Sequence, residues 1–113
     1  MLPLSRYAGA VDRTYYVMFE AASAMLASLG FEFDSHYGLK IKFGELLVRT
    51  GKVDRKFARY LSRAFNLRED AVYALDSRAE IPREVAEQEL RKATEFLTMA
   101  EQFLKGAGGK VEQ

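Results

Sequence analysis

Ala10–Leu29, AVDRTYYVMFEAASAMLASL, is the stretch around which the other segments arrange themselves. From Thr14 to Gly30 its only charge is Glu20. Val11, Tyr15, Met18, Ala22, Met25 and Leu29 recur at spacings of four and three, which puts them on one helical face. Tyr16, Val17, Phe19, Ala21, Ala24 and Leu26 carry the apolar surface round most of the cylinder. A helix apolar nearly all round belongs in the middle of a bundle, with other helices packed against it. Thr14, Glu20, Ser23 and Ser28 make it too polar for a membrane span, which needs about 20 predominantly apolar residues. Gly30 stands at the usual stop position.

Working outward, Met1–Gly9 contains Pro3 and Gly9 and reads as non-helical. Asp34 or Ser35 can cap a second helix over 36–50, with Leu39, Phe43, Leu46, Leu47 and Thr50 as its buried stripe. Gly44 inside it suggests a close helix crossing, since Gly costs about 1 kcal/mol relative to Ala in a helix. Gly51 ends that helix, and Asp54 caps a third running to about residue 75. There Leu61, Phe65, Arg68, Val72 and Leu75 share a face, so Arg68 falls within an apolar seam. After a loop over 76–81, Pro82 suits the first turn of a fourth helix. Ala86, Leu90, Ala93, Leu97, Ala100 and Leu104 form its expected core stripe, widened by Phe96 and Phe103, and its glutamates read as a solvated outer face. Gly106 is the expected stop, with 106–113 a flexible tail. No alternating strand pattern occurs, so the fold class is all-α: one domain over 1–113, an antiparallel four-helix bundle.

Composition excludes several kinds of chemistry. There is no cysteine, hence no disulfide or thiolate chemistry, and a single histidine leaves little room for a metal site. No cofactor and no metal are expected, and no phosphate loop or nucleophile elbow is present. No signal peptide is visible, so the expected location is cytoplasmic, away from any membrane. The net charge of +1 names no partner, but its distribution is uneven. From Lys40 to Arg68 there are nine basic residues against only Glu45 and Asp54. Arg55, Lys56, Arg59, Arg63 and Arg68 are therefore candidate nucleotide- or nucleic-acid-binding residues; the alternative is an ordinary solvated face. Arg68 either pairs with an acid such as Glu69 or Asp70, or binds phosphate. His36 is either structural or an acid–base or phosphate-contacting group.

The stretch GAVDRTYYVMFEAASAML resembles the signature A-x-x-R-x-Y-Y-A-M-F-x-A-A of HEPN domains through Arg13, Tyr15, Tyr16, Met18, Phe19, Ala21 and Ala22. DSHYGLKIKFGE is similar to the next block of the same subfamily through Ser35, His36, Gly38 and Phe43. LSRAFNLREDAVYA is similar to the following one through Leu61, Ser62, Arg63, Ala64, Phe65, Arg68, Ala71 and Tyr73, and the Glu-rich last helix also matches. The resemblance implies a helical bundle that homodimerises, often as the partner of a minimal nucleotidyltransferase in toxin–antitoxin-like modules. Many members are metal-independent ribonucleases with an arginine followed four to six residues later by a histidine. Arg68 matches that arginine, but Tyr73 stands where the shortest motif would place the histidine, and a phenol is too weak an acid to replace it near neutral pH. Only Met1–Gly9 precede the Tyr-Tyr helix, so the family's usual first helix is expected to be missing. The resulting expectation is a non-catalytic dimeric partner binding nucleotide or RNA near Arg68. The alternatives are a ribonuclease with a degenerate site, for which Arg68, Tyr73 and His36 are the candidate catalytic residues, and a purely structural helical dimer.

Overall fold

A computed structural model describes the backbone of residues 3–77 and 81–112, and the side chains of residues 7, 9–70 and 81–106. Four α-helices follow one another: α1 Pro3–Ala27, α2 His36–Phe43, α3 Arg55–Ser77 and α4 Arg83–Glu112. A single π-helical turn, Gly44–Val48, extends α2. No strand occurs among the described residues, and no helix there is long and apolar enough to cross a membrane. The molecule is a rod of 52 × 22 × 21 Å. Helix α1 touches α2, α3 and α4, as its all-round apolar surface requires.

The core follows from that surface. Val11, Tyr15, Met18, Ala22, Met25 and Leu26 are buried, and against them lie Leu39, Phe43, Leu47, Phe57, Leu61 and Phe96. Phe96 stacks with Phe43 at a centroid distance of 5.8 Å and meets Phe57 edge-on at 5.7 Å, tying α4 to α2 and α3 through one ring. A smaller cluster of Val11, Ile81 and Ala86 closes the end where α4 begins.

The caps obey local rules. Ser35 accepts a hydrogen bond from the Gly38 amide at the start of α2, and Asp54 accepts from the Lys56 amide before α3. Gly30 and Gly51 adopt φ of 93° and 81°, a left-handed conformation that permits the sharp reversals after α1 and after the π turn.

Several expectations fail, each for a physical reason. The helix does not wait for Ala10: α1 begins at Pro3, because a proline at the first helical position loses no hydrogen bond and Tyr7 and Ala10 pack onto the small cluster. It ends at Ala27, so Leu29 lies in the turn and is exposed. Gly44 marks no close crossing, since a Cβ there would meet nothing within 4 Å. It opens the π turn instead, its carbonyl accepting from the Arg49 amide, and Thr50 lies exposed beyond it. In α4 the buried row is Ala86, Glu89, Ala93, Phe96 and Ala100, whereas Leu90 and Leu97 are 59% and 42% exposed. Its glutamates are not all solvated: Glu89 is buried, and Glu95 binds Lys56 and Tyr60 of α3. Nor does Gly106 end α4, which continues to Glu112; a glycine permits a stop without imposing one.

Candidate functional site

Three helices bring one polar cluster together. Asp12, Tyr15 and Tyr16 lie within about one turn of α1, so the spacing of three and four residues places Asp12 beside both tyrosines. Phe65, Arg68 and Glu69 come from the corresponding stretch of α3, and His36 from the first position of α2. Arg68 is the hub. Its Nε donates to Asp12 Oδ1 at 2.6 Å, its Nη1 to Glu69 Oε2 at 3.3 Å, and its Nη2 to the Tyr16 hydroxyl at 3.1 Å. Its guanidinium carbon also lies 5.1 Å from the centre of the Tyr16 ring and 5.6 Å from that of Tyr15. The Asp12 hydrogen bond raises the Arg68 pKa above its ordinary value, so the cation is permanent.

His36 joins the same cluster through Tyr15. Its ring stacks on Phe65 at 3.8 Å between centroids, nearly parallel at 10°, and its Nδ1 lies 3.1 Å from the Tyr15 hydroxyl. Tyr15 is 3% exposed, and burial pushes its pKa up to about 12 even though Arg68 pulls the other way. The phenol therefore keeps its proton near neutral pH. Burial also lowers the His36 pKa, with Lys40 adding to the effect and Glu69 opposing it. A neutral imidazole has one N–H and one lone pair, so either tautomer can hydrogen-bond the Tyr15 hydroxyl at Nδ1. The cluster thus presents a fixed cation beside an imidazole, flanked by the Asp12 and Glu69 carboxylates.

The remaining candidates divide. Arg55, Arg59 and Arg63 recur every four residues on α3 and are exposed. Arg68 is five residues beyond Arg63, a turn of about 140° round the helix, so it belongs to a different face. Lys56 pairs with Glu95 rather than lining the arginine row. Tyr73 lies outside the described side chains. Arg13, a residue of the quoted α1 block, is exposed in a groove between α1 and α4 with Val17, Leu90 and Leu97.

Sequence reasoning offered Glu69 as an acid for Arg68, which the structure shows, but missed Asp12 and missed that His36 meets Tyr15. The Asp12–Tyr16 spacing of four was an available signal for the first. Nothing local signals the second, because 21 residues separate Tyr15 from His36.

An all-α bundle whose central helix offers adjacent tyrosines to an arginine of the third helix defines the class. Residues 1–105 match the family model of the HEPN domain. A Thermotoga maritima protein named as a UPF0332 protein is 31% identical over 93% of this chain and 78% of its own length. Two Methanocaldococcus jannaschii proteins named "Putative toxin MJ0142" and "Putative toxin MJ0605" are 33% and 31% identical, over 87% and 88% of this chain and 65% and 72% of theirs. No solved structure gives a significant match. The chain belongs to the HEPN domain family.

Proposed function

We propose that this HEPN protein binds RNA or nucleotide phosphate at the Arg68 cluster without cleaving it, as the dimeric partner of a minimal nucleotidyltransferase in a toxin–antitoxin-type pair. The observation carrying this reading is a permanent cation, Arg68, oriented by Asp12 and by the rings of Tyr15 and Tyr16. His36 is tied to the same cluster through Tyr15. The ribonuclease motif of the family lacks its histidine here, since none follows Arg68 and Tyr73 stands in that place, and a phenol is too weak an acid to replace it near neutral pH. A phosphate oxygen can replace Glu69, the longer of the two carboxylate contacts, while Asp12 keeps the guanidinium oriented. The relatives named as putative toxins support the toxin-type setting, and the pairing rests on the family resemblance. Tyr16, 44% exposed beside Arg68, and the exposed Leu90 and Leu97 supply apolar surface for a second copy.

A second reading, a ribonuclease, draws on one observation: His36 and Arg68 share Tyr15 and so lie in one cluster. Binding is tested by fluorescence anisotropy of a labelled RNA. Arg68→Ala is expected to weaken affinity by about tenfold, the loss of a charge-assisted contact of about 1.4 kcal/mol. Replacing Arg55, Arg59 and Arg63 with Gln is expected to flatten the salt dependence through loss of backbone phosphate contacts. Unchanged binding by Arg68→Ala would remove the cluster from the account.

A further inference from the structure

Glu89 occupies an apolar row of α4, between Ala86 and Ala93, and is only 4% exposed. Its Oε2 accepts from Lys92 Nζ at 3.1 Å, but Oε1 is buried and meets no donor among the described residues. A buried carboxylate oxygen without a donor is costly and calls for a specific explanation. Glu89 lines a cleft of about 320 Å³ between α3 and α4, together with Arg63, Asn66, Leu67, Val85 and Lys92. That volume lies at the lower end of small-ligand sites.

We propose that this cleft is a guanine site, in which the Glu89 side chain turns its buried carboxylate into the cleft to accept from the N1–H and N2–H groups of the base while Arg63 at the rim meets its phosphate. The choice of base follows from the missing donor. Guanine alone among the four presents two adjacent N–H donors on its Watson–Crick edge. Adenine and cytosine set an acceptor nitrogen beside their amino group, and uracil flanks its single N–H with two carbonyls, so each turns a lone pair toward the carboxylate. Leu67 and Val85 supply apolar wall for the ring faces, and the Asn66 amide can donate to O6 or N7. Lys92 lies 5.7 Å from the centre of the Tyr60 ring, which can receive its ammonium when a base takes its place on Oε2. Arg63 and Lys92 against Asp70 and Glu89 leave the cleft formally neutral, which suits one base with one phosphate better than a polyphosphate chain. The cleft lies on the face of α3 turned away from Arg68, so it is a separate site.

The test is calorimetric titration with GMP, AMP, CMP and UMP, and with a short oligouridylate carrying one central guanosine beside its all-uridine counterpart. GMP is expected to bind at least about tenfold more tightly than the other three, or the guanosine oligomer than its counterpart, according to whether the source of the base is free nucleotide or RNA. Glu89→Gln, which replaces one acceptor oxygen with a donor NH₂, is expected to lose that preference. Arg63→Gln, on an exposed residue, is expected to weaken GMP more than guanosine and guards against a folding defect in the Glu89 variant. No guanine preference in either set, or a preference undiminished in folded Glu89→Gln, overturns the proposal. The Arg68 reading is judged separately, by Arg68→Ala on RNA.

Discussion

At the scale of single residues, the cluster is governed by where protons sit. His36 is held neutral by burial, so its folded pKa lies below the ordinary histidine value of about 6.5. The unfolded chain therefore binds the proton first as pH falls. The associated stability is fully present above about pH 6.5 and is lost progressively below it, down to the folded pKa. Urea unfolding between pH 7.5 and 5.5 is expected to show this decline, and His36→Gln to reduce it; a decline of the same size in the variant would mean that other groups cause it. Tyr15→Phe keeps the ring but removes the hydroxyl that meets Nδ1. It is expected to cost about 0.5–1.5 kcal/mol of stability in the same urea unfolding measurement. Arg68 was legible from sequence as a misplaced cation in an apolar seam with Glu69 as one of its acids, but its shorter contact, Asp12, was not. The pairing with Asp12 spans 56 residues and depends on how α1 and α3 cross.

At the scale of elements, the helices were legible and their rotations were not always so. Steps of three and four can be combined in more than one way along α4. The reading through Leu90 and Leu97 and the observed one through Glu89 and Phe96 share Ala86, Ala93 and Ala100. Hydrophobicity favoured the leucines, yet the rotation that buries Phe96 places a large ring between Phe43 and Phe57. Phe96→Ala is expected to cost about 3–5 kcal/mol, and Leu97→Ala well under half of that, by chemical denaturation. The reverse order would restore the leucine stripe. The early start of α1 was hidden for a related reason: Pro3 and Gly9 are poor helix formers, and packing outweighs such local preferences.

At the scale of the molecule, α2, α3 and α4 bury Val11, Tyr15, Met18, Met25 and Leu26 of α1 and leave Tyr16 exposed. The all-α architecture and the family followed from the order of sequence blocks, and the separation of the basic residues onto two faces of α3 follows from their spacing, whereas the pairing of Lys56 with Glu95 required the fold. If the exposed Tyr16 and the apolar groove between α1 and α4 seat a second copy, light scattering at micromolar concentration gives twice the chain mass, and Leu90→Glu with Leu97→Glu gives a folded monomer. A wild-type monomer whose thermal transition does not depend on concentration rules out the dimer.

RNA held at the Arg68 cluster without being cut is the behaviour expected of this protein. The most direct measurement incubates end-labelled RNA with protein at saturating concentration and resolves the products on a denaturing gel, with binding monitored in parallel. The RNA is expected to stay intact, bound by the wild type and released by Arg68→Ala. Fragments produced by the wild type and abolished by both Arg68→Ala and His36→Ala would contradict it.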